Sequence, residues 1–282
     1  MGNCVKISVN MGNVWDRATE FLGDHLAAIL PIAVLAIVVP STVSAIIAPL
    51  GAAGGLAALP VNLISLALTL VTVWAQLAIV ALALDRIVGR GAAMQVALRR
   101  LLPFLGVLLV LLVAFVIVML PIPFVLAGYG MDMQAAMANG AQVNIPPAAA
   151  GIISIYTIVL VPVLIFVGAR LALLTPVVVC ERRGLGSIGR SFALSRGLVW
   201  KIIGMLILYG IVAGVAILAT RTVFGSVLRL ALGGEGLITP AGVLTALIVA
   251  IVQTVFVLLA CAFTAKLYLA VADARGTIVE PV

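Results

Sequence analysis

The sequence predicts an all-α integral membrane protein with six transmembrane helices, and three observations support this fold class. Of the 282 residues, 65% are hydrophobic and 9% are charged, whereas soluble domains have about 25% charged residues. The mean hydropathy is +1.38. No Asp, Glu, Lys or Arg occurs from Leu26 to Leu84. This stretch is long enough for two spans, because one helix needs about 20 apolar residues to cross the bilayer.

Six segments have the length and apolarity of a span. Backbone amides in hydrocarbon must bond within their own segment, and the segments lack the alternating polar pattern of barrel strands, so each should be helical. The predicted spans are residues 26–48, 61–84, 104–126, 152–175, 202–219 and 242–265. Prolines inside these segments predict kinks; they are Pro31, Pro40, Pro162 and Pro176.

Each pair of spans ends in a similar motif of an acidic residue, an arginine and a glycine. The three motifs begin at Asp85, Glu181 and Asp273. This recurrence predicts a single membrane domain, 1–282, built from three parallel hairpin repeats of approximately 11–90, 91–184 and 185–276.

A short amphipathic segment precedes each pair of spans. Helices of this kind lie in the headgroup layer with their basic side chains towards lipid phosphate. The predicted apolar faces are Val14, Ala18, Phe21 and Leu22 in the first segment, Met94, Ala97, Leu98, Leu101 and Leu102 in the second, and Ile188, Phe192 and Ser195 in the third.

Lysine and arginine are distributed unequally between the two membrane faces. One face has Lys6, Arg17, Arg86, Arg90, Arg99, Arg100, Arg182, Arg183, Arg190, Arg196, Lys201 and Arg275, and the other has Arg221 and Arg229. The positive-inside rule therefore predicts that both termini are cytoplasmic. The corresponding location is a bacterial cytoplasmic (inner) membrane.

Charged residues within the later spans are candidates for a functional site. Arg170 lies in an otherwise uncharged span, and Glu181 follows three helical turns later, on the same face if the helix is continuous. Lys266 and Asp273 repeat this arrangement, two turns apart, at the end of the sixth span. A cation in lipid costs roughly 2.5 to 3.5 kcal/mol, so it should face the bundle interior, pair with an acid or reach a headgroup. A structural anchor or ion pair, a substrate or lipid-phosphate site, and a proton or ion relay all remain open.

The segment from Gly168 to Lys201 resembles a known family signature, with Gly-Ala-Arg-Leu at 168–171, Pro176, Cys-Glu-Arg-Arg-Gly at 180–184, Arg-Ser-Phe-Ala-Leu-Ser-Arg-Gly at 190–197 and Trp-Lys at 200–201. It is similar to the bacterial membrane domain found fused to some glycerophosphoryl diester phosphodiesterases, and to allied stand-alone six-span families. Val-Trp-Asp-Arg at 14–17 and the six-span length also fit. Gly189 departs from the family pattern, which more often has alanine near this position. The candidate lipid- or ligand-binding residues are Arg170, Glu181, Arg190, Ser191, Arg196, Lys266 and Asp273.

The resemblance implies a membrane domain without catalysis, because the family name comes from a fused soluble domain that has no counterpart in these residues. The chain has one histidine, His25, and no acidic cluster or phosphate-binding glycine motif. Its cysteines, Cys4, Cys180 and Cys261, lack metal-ligand spacing. We therefore expect no enzyme, no cofactor and no metal site.

The basic residues indicate the class of partner. They lie along one membrane face without interleaved aromatic residues, so anionic lipid headgroups fit them better than nucleic acid does. Abundant Gly and Ala in the spans favour close helix contacts, and hence an accessory or scaffold component of a membrane-protein complex. The alternative is a carrier for a lipid-like or anionic small molecule.

Overall fold

The computed structural model describes residues 10–52, 58–84, 89–130, 146–181, 184–233 and 238–276, and every regular element in these ranges is helical. The elements are α1 (Met11–Asp24), α2 (Leu26–Ala33), a π-helical turn (Val34–Val38), α3 (Val39–Ala52), α4 (Ala58–Leu84), α5 (Arg90–Met119), α6 (Pro121–Gly128), α7 (Pro147–Leu171), α8 (Leu174–Cys180), α9 (Gly186–Leu194), α10 (Val199–Leu232) and α11 (Pro240–Ala274).

Six helical segments are long and apolar enough to cross a membrane, which confirms the predicted class of an all-helical, multi-pass membrane protein. The segments are Leu26–Gly51, Ala58–Leu84, Arg90–Gly128, Pro147–Cys180, Val199–Leu232 and Pro240–Ala274. Their grouping into three repeats stays a prediction. Four residues of the predicted motifs, Asp85, Arg86, Arg182 and Arg183, lie outside the described ranges.

The last helix, α11, lies at the centre of the bundle. It packs against α1, α3, α4, α8 and α10. Ala262 and Ala265 of α11 are fully buried, and small side chains let helix backbones approach closely. In α4, every residue from Leu77 to Ala83 is buried. The best-packed core therefore lies towards one end of the bundle, where α1, α9 and the C-terminal ends of α4, α8 and α11 meet. We call this the basic end.

Away from the basic end, the spans present large apolar side chains outward. Only 6% of the most apolar window of the fourth span is buried, and 11% of the corresponding windows of the third and fifth spans. Ile155, Ile158 and Leu218, for example, are each more than 60% exposed. Lipid chains cover such side chains in a bilayer at no cost, because they are equally apolar.

The amphipathic segments follow the prediction at α1 and depart from it elsewhere. Val14, Ala18 and Phe21 are buried, and the side chain of Asn10 caps the helix by accepting from the Gly12 amide at 2.9 Å. The second segment is continuous with the third span. The helix α5 runs without a break from Arg90 through Pro103 to Met119.

The predicted apolar faces of the second and third segments are confirmed only in part, because Ala97 and Ser195 are buried but other members are not. Leu98 and Leu102 are 64% and 79% exposed, and the buried residues of that turn are alanines. In α9, the buried stripe includes Ser187 and Ser191, while Ile188 is only partly buried. The faces shift because short side chains allow α5 and α9 to approach their neighbours closely.

The fourth and fifth spans also differ from their predicted course. Ala172 and Leu173 form a turn between α7 and α8, because the ring of Pro176 would clash with the carbonyl group four residues earlier. Arg170 and Glu181 therefore do not share one continuous helix face. The fifth span continues through Arg221 and Arg229 as far as Leu232, so these two arginines lie on a helix and not in a connection.

Candidate functional site at the basic end

The guanidinium group of Arg170 is held between α7 and α9. Its Nη1 donates to the carbonyl oxygen of Phe192 at 2.9 Å, and its Cζ lies 5.2 Å and 5.8 Å from the ring centroids of Phe166 and Phe192. The hydroxyl of Ser191 donates back to the carbonyl oxygen of Arg170 at 2.7 Å. Both carbonyl groups belong to the last turn of a helix, where the following helical turn supplies no backbone amide donor. The Phe192 carbonyl also accepts from the hydroxyl of Ser195 at 3.2 Å. These two reciprocal bonds fasten α9 to α7.

Glu181 and Arg190 form an ion pair across the connection between α8 and α9. Nε of Arg190 lies 2.9 Å and 3.1 Å from the two carboxylate oxygens of Glu181. The hydroxyl of Tyr268 on α11 donates to the same carboxylate at 3.3 Å. The Arg190 and Glu181 side chains are 28% and 17% exposed, so water screens the pair only in part. The carboxylate therefore joins three helices.

Lys266 lies in the interior, with 7% of its surface exposed. Its Nζ donates to the carbonyl oxygen of Ala83 at 2.7 Å and lies 4.7 Å from the ring centroid of Phe21. Ala83 is in the last turn of α4, where the carbonyl end of the helix dipole attracts a cation. Lys266 thereby connects α11 to α4 and α1.

Arg275 follows the end of α11 and reaches α9. Its Nη2 donates to the carbonyl oxygens of Leu194 and Arg196 at 3.2 Å and 3.1 Å. Burial lowers the pKa of Arg275, and the nearby charges of Arg190 and Arg196 lower it further. The guanidinium remains protonated, because an arginine side chain does not lose its proton in proteins.

Arg170, Lys266 and Arg275 perform the same task. Each donates to a carbonyl group at the C-terminal end of a helix other than its own. Such groups otherwise need water or a capping residue. These three cations are therefore engaged in fixing helix ends against one another.

The structure does not gather all the predicted site residues in one place. Arg170 and Ser191 are in contact, because the Ser191 hydroxyl donates to the Arg170 carbonyl oxygen. Glu181 and Arg190 form an ion pair. Lys266 lies apart from these, against Ala83. The side chain of Arg196 is exposed, and its backbone carbonyl receives the bond from Arg275.

Asp273 lines a cavity of 260 Å³ between α1 and the end of α11, together with Asn10, Asn13 and Arg17. Lys266 and Asp273 lie on the same helix, α11, as predicted. Their neighbours differ, because Lys266 contacts Ala83 and Phe21 whereas Asp273 faces the cavity beside α1.

Sequence reasoning missed Arg275 and Tyr268 as members of the site. Tyr268 had a usable signal, because the hydroxyl of a tyrosine in an apolar span must find a partner. Arg275 had no such signal in the sequence, because its contact with α9 joins residues 81 positions apart. Within the described ranges, no three His, Cys, Asp or Glu side chains are grouped so as to hold a metal ion.

A second cavity, of 450 Å³, lies between α1, α10 and α11. We call it the apolar groove, because its lining is almost wholly apolar. The lining includes Trp15 of α1, Met205, Leu208 and Val212 of α10, and Phe256 and Leu259 of α11.

In comparisons with known proteins, no family model, curated protein or solved structure matches this chain.

Proposed function

We propose that this protein is a non-catalytic scaffold or accessory subunit of the bacterial cytoplasmic membrane that binds anionic lipids and a membrane-protein partner. The observation that carries the proposal is the shared use of Arg170, Lys266 and Arg275, each of which caps a helix of another element. A carrier needs cations that can release their protein contacts and bind substrate. Here the same contacts join the helices of the basic end, which is a structural role.

Exposed cations at the basic end support lipid binding. The side chains of Arg17, Arg90, Arg99, Arg196 and Lys201 are all exposed. A lysine or arginine near a membrane surface contributes about 1 kcal/mol of attraction to anionic lipids. The positive-inside rule gives this end, with both termini, a cytoplasmic location.

The lone histidine supports a non-catalytic role. His25 follows α1, its Nδ1 lies 3.2 Å from the carbonyl oxygen of Phe21, and its ring stacks on the Phe21 ring with centroids 4.8 Å apart. These contacts are those of a residue that closes a helix end. The resemblance to six-span membrane domains described in the sequence analysis agrees with this interpretation.

The carrier alternative has one specific feature in its favour. The first span contains a π-helical turn, Val34–Val38, that packs against α4 and α11. Such turns often occur at functional sites, and many carriers have interrupted helices. However, neither of the two cavities described above is lined by Arg170 or Lys266.

Replacement of Arg170 separates the two functions. In the scaffold proposal, Arg170→Leu lowers thermal stability because Phe192 and α9 lose their contact. In the carrier alternative, the variant keeps the stability of the parent protein and loses retention of a bound anionic molecule. Thermal unfolding in detergent and native mass spectrometry of the same sample provide both readouts.

Native mass spectrometry of protein extracted gently from its own membrane tests the subunit role directly. We expect a stoichiometric partner polypeptide and retained anionic lipid. Replacing Arg99, Arg196 and Lys201 by glutamine should reduce lipid retention, whereas the matched replacement of Arg221 and Arg229 on the other face should not. A lone chain that retains a defined small anion would contradict the proposal.

A further inference from the structure

The apolar groove lies on the membrane side of α1. On one side of this helix, Asn13 and Arg17 line the cavity that also contains Asp273. On its other side, Trp15 lines the groove and lies 6.0 Å from the ring of Phe263, measured between centroids. A helix with one polar and one apolar side lies in the plane of the headgroup layer. The groove therefore opens below α1, towards the hydrocarbon.

The groove extends through about two thirds of the hydrocarbon of one leaflet. Along α10 it extends from Met205 to Val212, which is about 10 Å at 1.5 Å per residue. One leaflet contributes about 15 Å of hydrocarbon. Trp200, 81% exposed in the first turn of α10, lies where aromatic residues mark the membrane interface. The volume of 450 Å³ is within the usual range of ligand sites, about 300–1,000 Å³.

The polar groups along the groove already have partners in the protein. The hydroxyl of Tyr209 donates to the carbonyl oxygen of Phe256 at 2.6 Å, and the amide of Gly12 donates to the side chain of Asn10. An occupant therefore meets hydrocarbon surface. If the groove were empty, the side chains that line it would lack dispersion contacts on that side. An acyl chain of the surrounding leaflet can supply these contacts.

A cation stands at the interfacial end of the groove. Lys201 is exposed and lies one turn before Met205, on the same face of α10. Helical side chains lean towards the N-terminus of their helix, which for Lys201 is towards the headgroup layer. We propose that an anionic phospholipid binds here, with one acyl chain in the apolar groove and its phosphate at Lys201. This site rests on the lipid-binding part of the proposed function and specifies where that lipid lies.

Fluorescence of Trp15 can report occupation of the groove. The chain has three tryptophans, so Trp74→Phe and Trp200→Phe leave Trp15 as the only tryptophan, which is excited selectively at wavelengths where tyrosine does not absorb. This protein is reconstituted in phosphatidylcholine vesicles containing increasing fractions of phosphatidylglycerol with brominated acyl chains, which quench nearby tryptophan. Half-maximal quenching should require an about fivefold lower fraction of brominated phosphatidylglycerol than of brominated phosphatidylcholine.

Two pairs of variants separate the headgroup contact from the chain contact. Lys201→Gln should abolish the preference for phosphatidylglycerol, while Lys201→Arg should keep it. Val212→Phe fills the groove and should reduce quenching by both lipids. Its control, Ile211→Phe, alters an adjacent exposed residue outside the groove lining and should leave quenching unchanged.

Equal half-maximal fractions for the two lipids in the parent protein would overturn the site, as would identical quenching in Val212→Phe and Ile211→Phe. This result is independent of the subunit role. If native mass spectrometry still finds a stoichiometric partner, loss of the lipid preference removes only the groove site. If the preference is present and no partner is found, the subunit role fails and the groove site stands.

Discussion

The basic end and the membrane-embedded part of the bundle use polar side chains differently. At the basic end, Arg170, Lys266 and Arg275 reach the backbone of another helix. In the spans, hydroxyl groups mostly donate to the carbonyl four residues earlier in their own helix, as do those of Thr157 and Ser226. Two tyrosines depart from this pattern: Tyr156 donates to the carbonyl of Val118, and Tyr209 to that of Phe256.

This difference shows where the bundle gains its specificity. In hydrocarbon, a threonine hydroxyl that donates to a carbonyl of its own helix adds no bond between helices. The packing of those helices then depends on the fit of their surfaces. At the basic end, the last carbonyl groups of α4, α7 and α9 need donors, and side chains from elsewhere in the chain supply them. The relative positions of the helices are therefore fixed mainly at one end.

The largest expected difference between the two ends is their accessibility from outside the cell. A cysteine on one side of the membrane reacts with an impermeant reagent, and a cysteine on the other side does not. In a variant without native cysteines, Asn139→Cys should react with an impermeant maleimide in intact cells. Asn139 lies outside the described residues, in the connection between the third and fourth spans. Gly186→Cys, at the start of α9, should react only after permeabilisation. The reverse labelling pattern would overturn the predicted orientation.

Lys266→Ala should cause the largest loss of stability, roughly 2–4 kcal/mol, because it empties a packed site and leaves the Ala83 carbonyl without this donor. Reversible unfolding in mixed micelles measures the free energy. Arg221→Ala, at an exposed arginine away from the basic end, is the control and should cost less than about 0.5 kcal/mol. Equal effects would show that Lys266 is not part of the structural core.

Arg275→Gln should have an intermediate, local effect of about 1–2 kcal/mol, because Leu194 and Arg196 lose a charged donor. Hydrogen exchange should become faster throughout α9 and remain unchanged in α4. Arg196→Gln changes an exposed side chain at the same end and should leave exchange in α9 as it was. Unchanged protection of α9 in Arg275→Gln would contradict the capping role.

A pair of serines gives the smallest and most direct contrast. Ser191→Ala removes a bond between α9 and α7 and should cost about 1 kcal/mol. Ser226→Ala removes a bond to Thr222 within one helix and should change stability by less than about 0.5 kcal/mol. Unfolding midpoints of the two variants, measured side by side, test whether bonds between helices matter more at the basic end.

The fold class was predictable because hydrocarbon imposes a strong length requirement on each span. The lengths and positions of the apolar segments place six helices, and the periodicity of Val14, Ala18 and Phe21 correctly identifies the buried face of α1. The end of the fifth span was less predictable. Arg221 and Arg229 suggested a connection, but a helix tolerates arginine near the membrane surface, where its side chain can reach water.

The sequence identifies several charged residues of the candidate site, but it does not identify the groups that they contact. Arg170 and Lys266 stand out because charge inside a span is costly. Their partners are backbone carbonyl groups, however, and a carbonyl group has no signature in the sequence. The contact between Lys266 and Ala83 joins residues 183 positions apart, so it depends on the packing of the whole bundle. The break between α7 and α8 likewise decides which carbonyl groups are open to Ser191.

The contact of Arg275 with α9 has a consequence for how the protein is synthesised. Arg275 follows the sixth span, whereas Leu194 precedes the fifth, so the donor leaves the ribosome long after its acceptor. During translation, α9 can fold and contact α7, but its final carbonyl groups must wait for the last span to insert. Assembly of the basic end is therefore completed late in biogenesis, when α11 enters between helices that are already in the membrane.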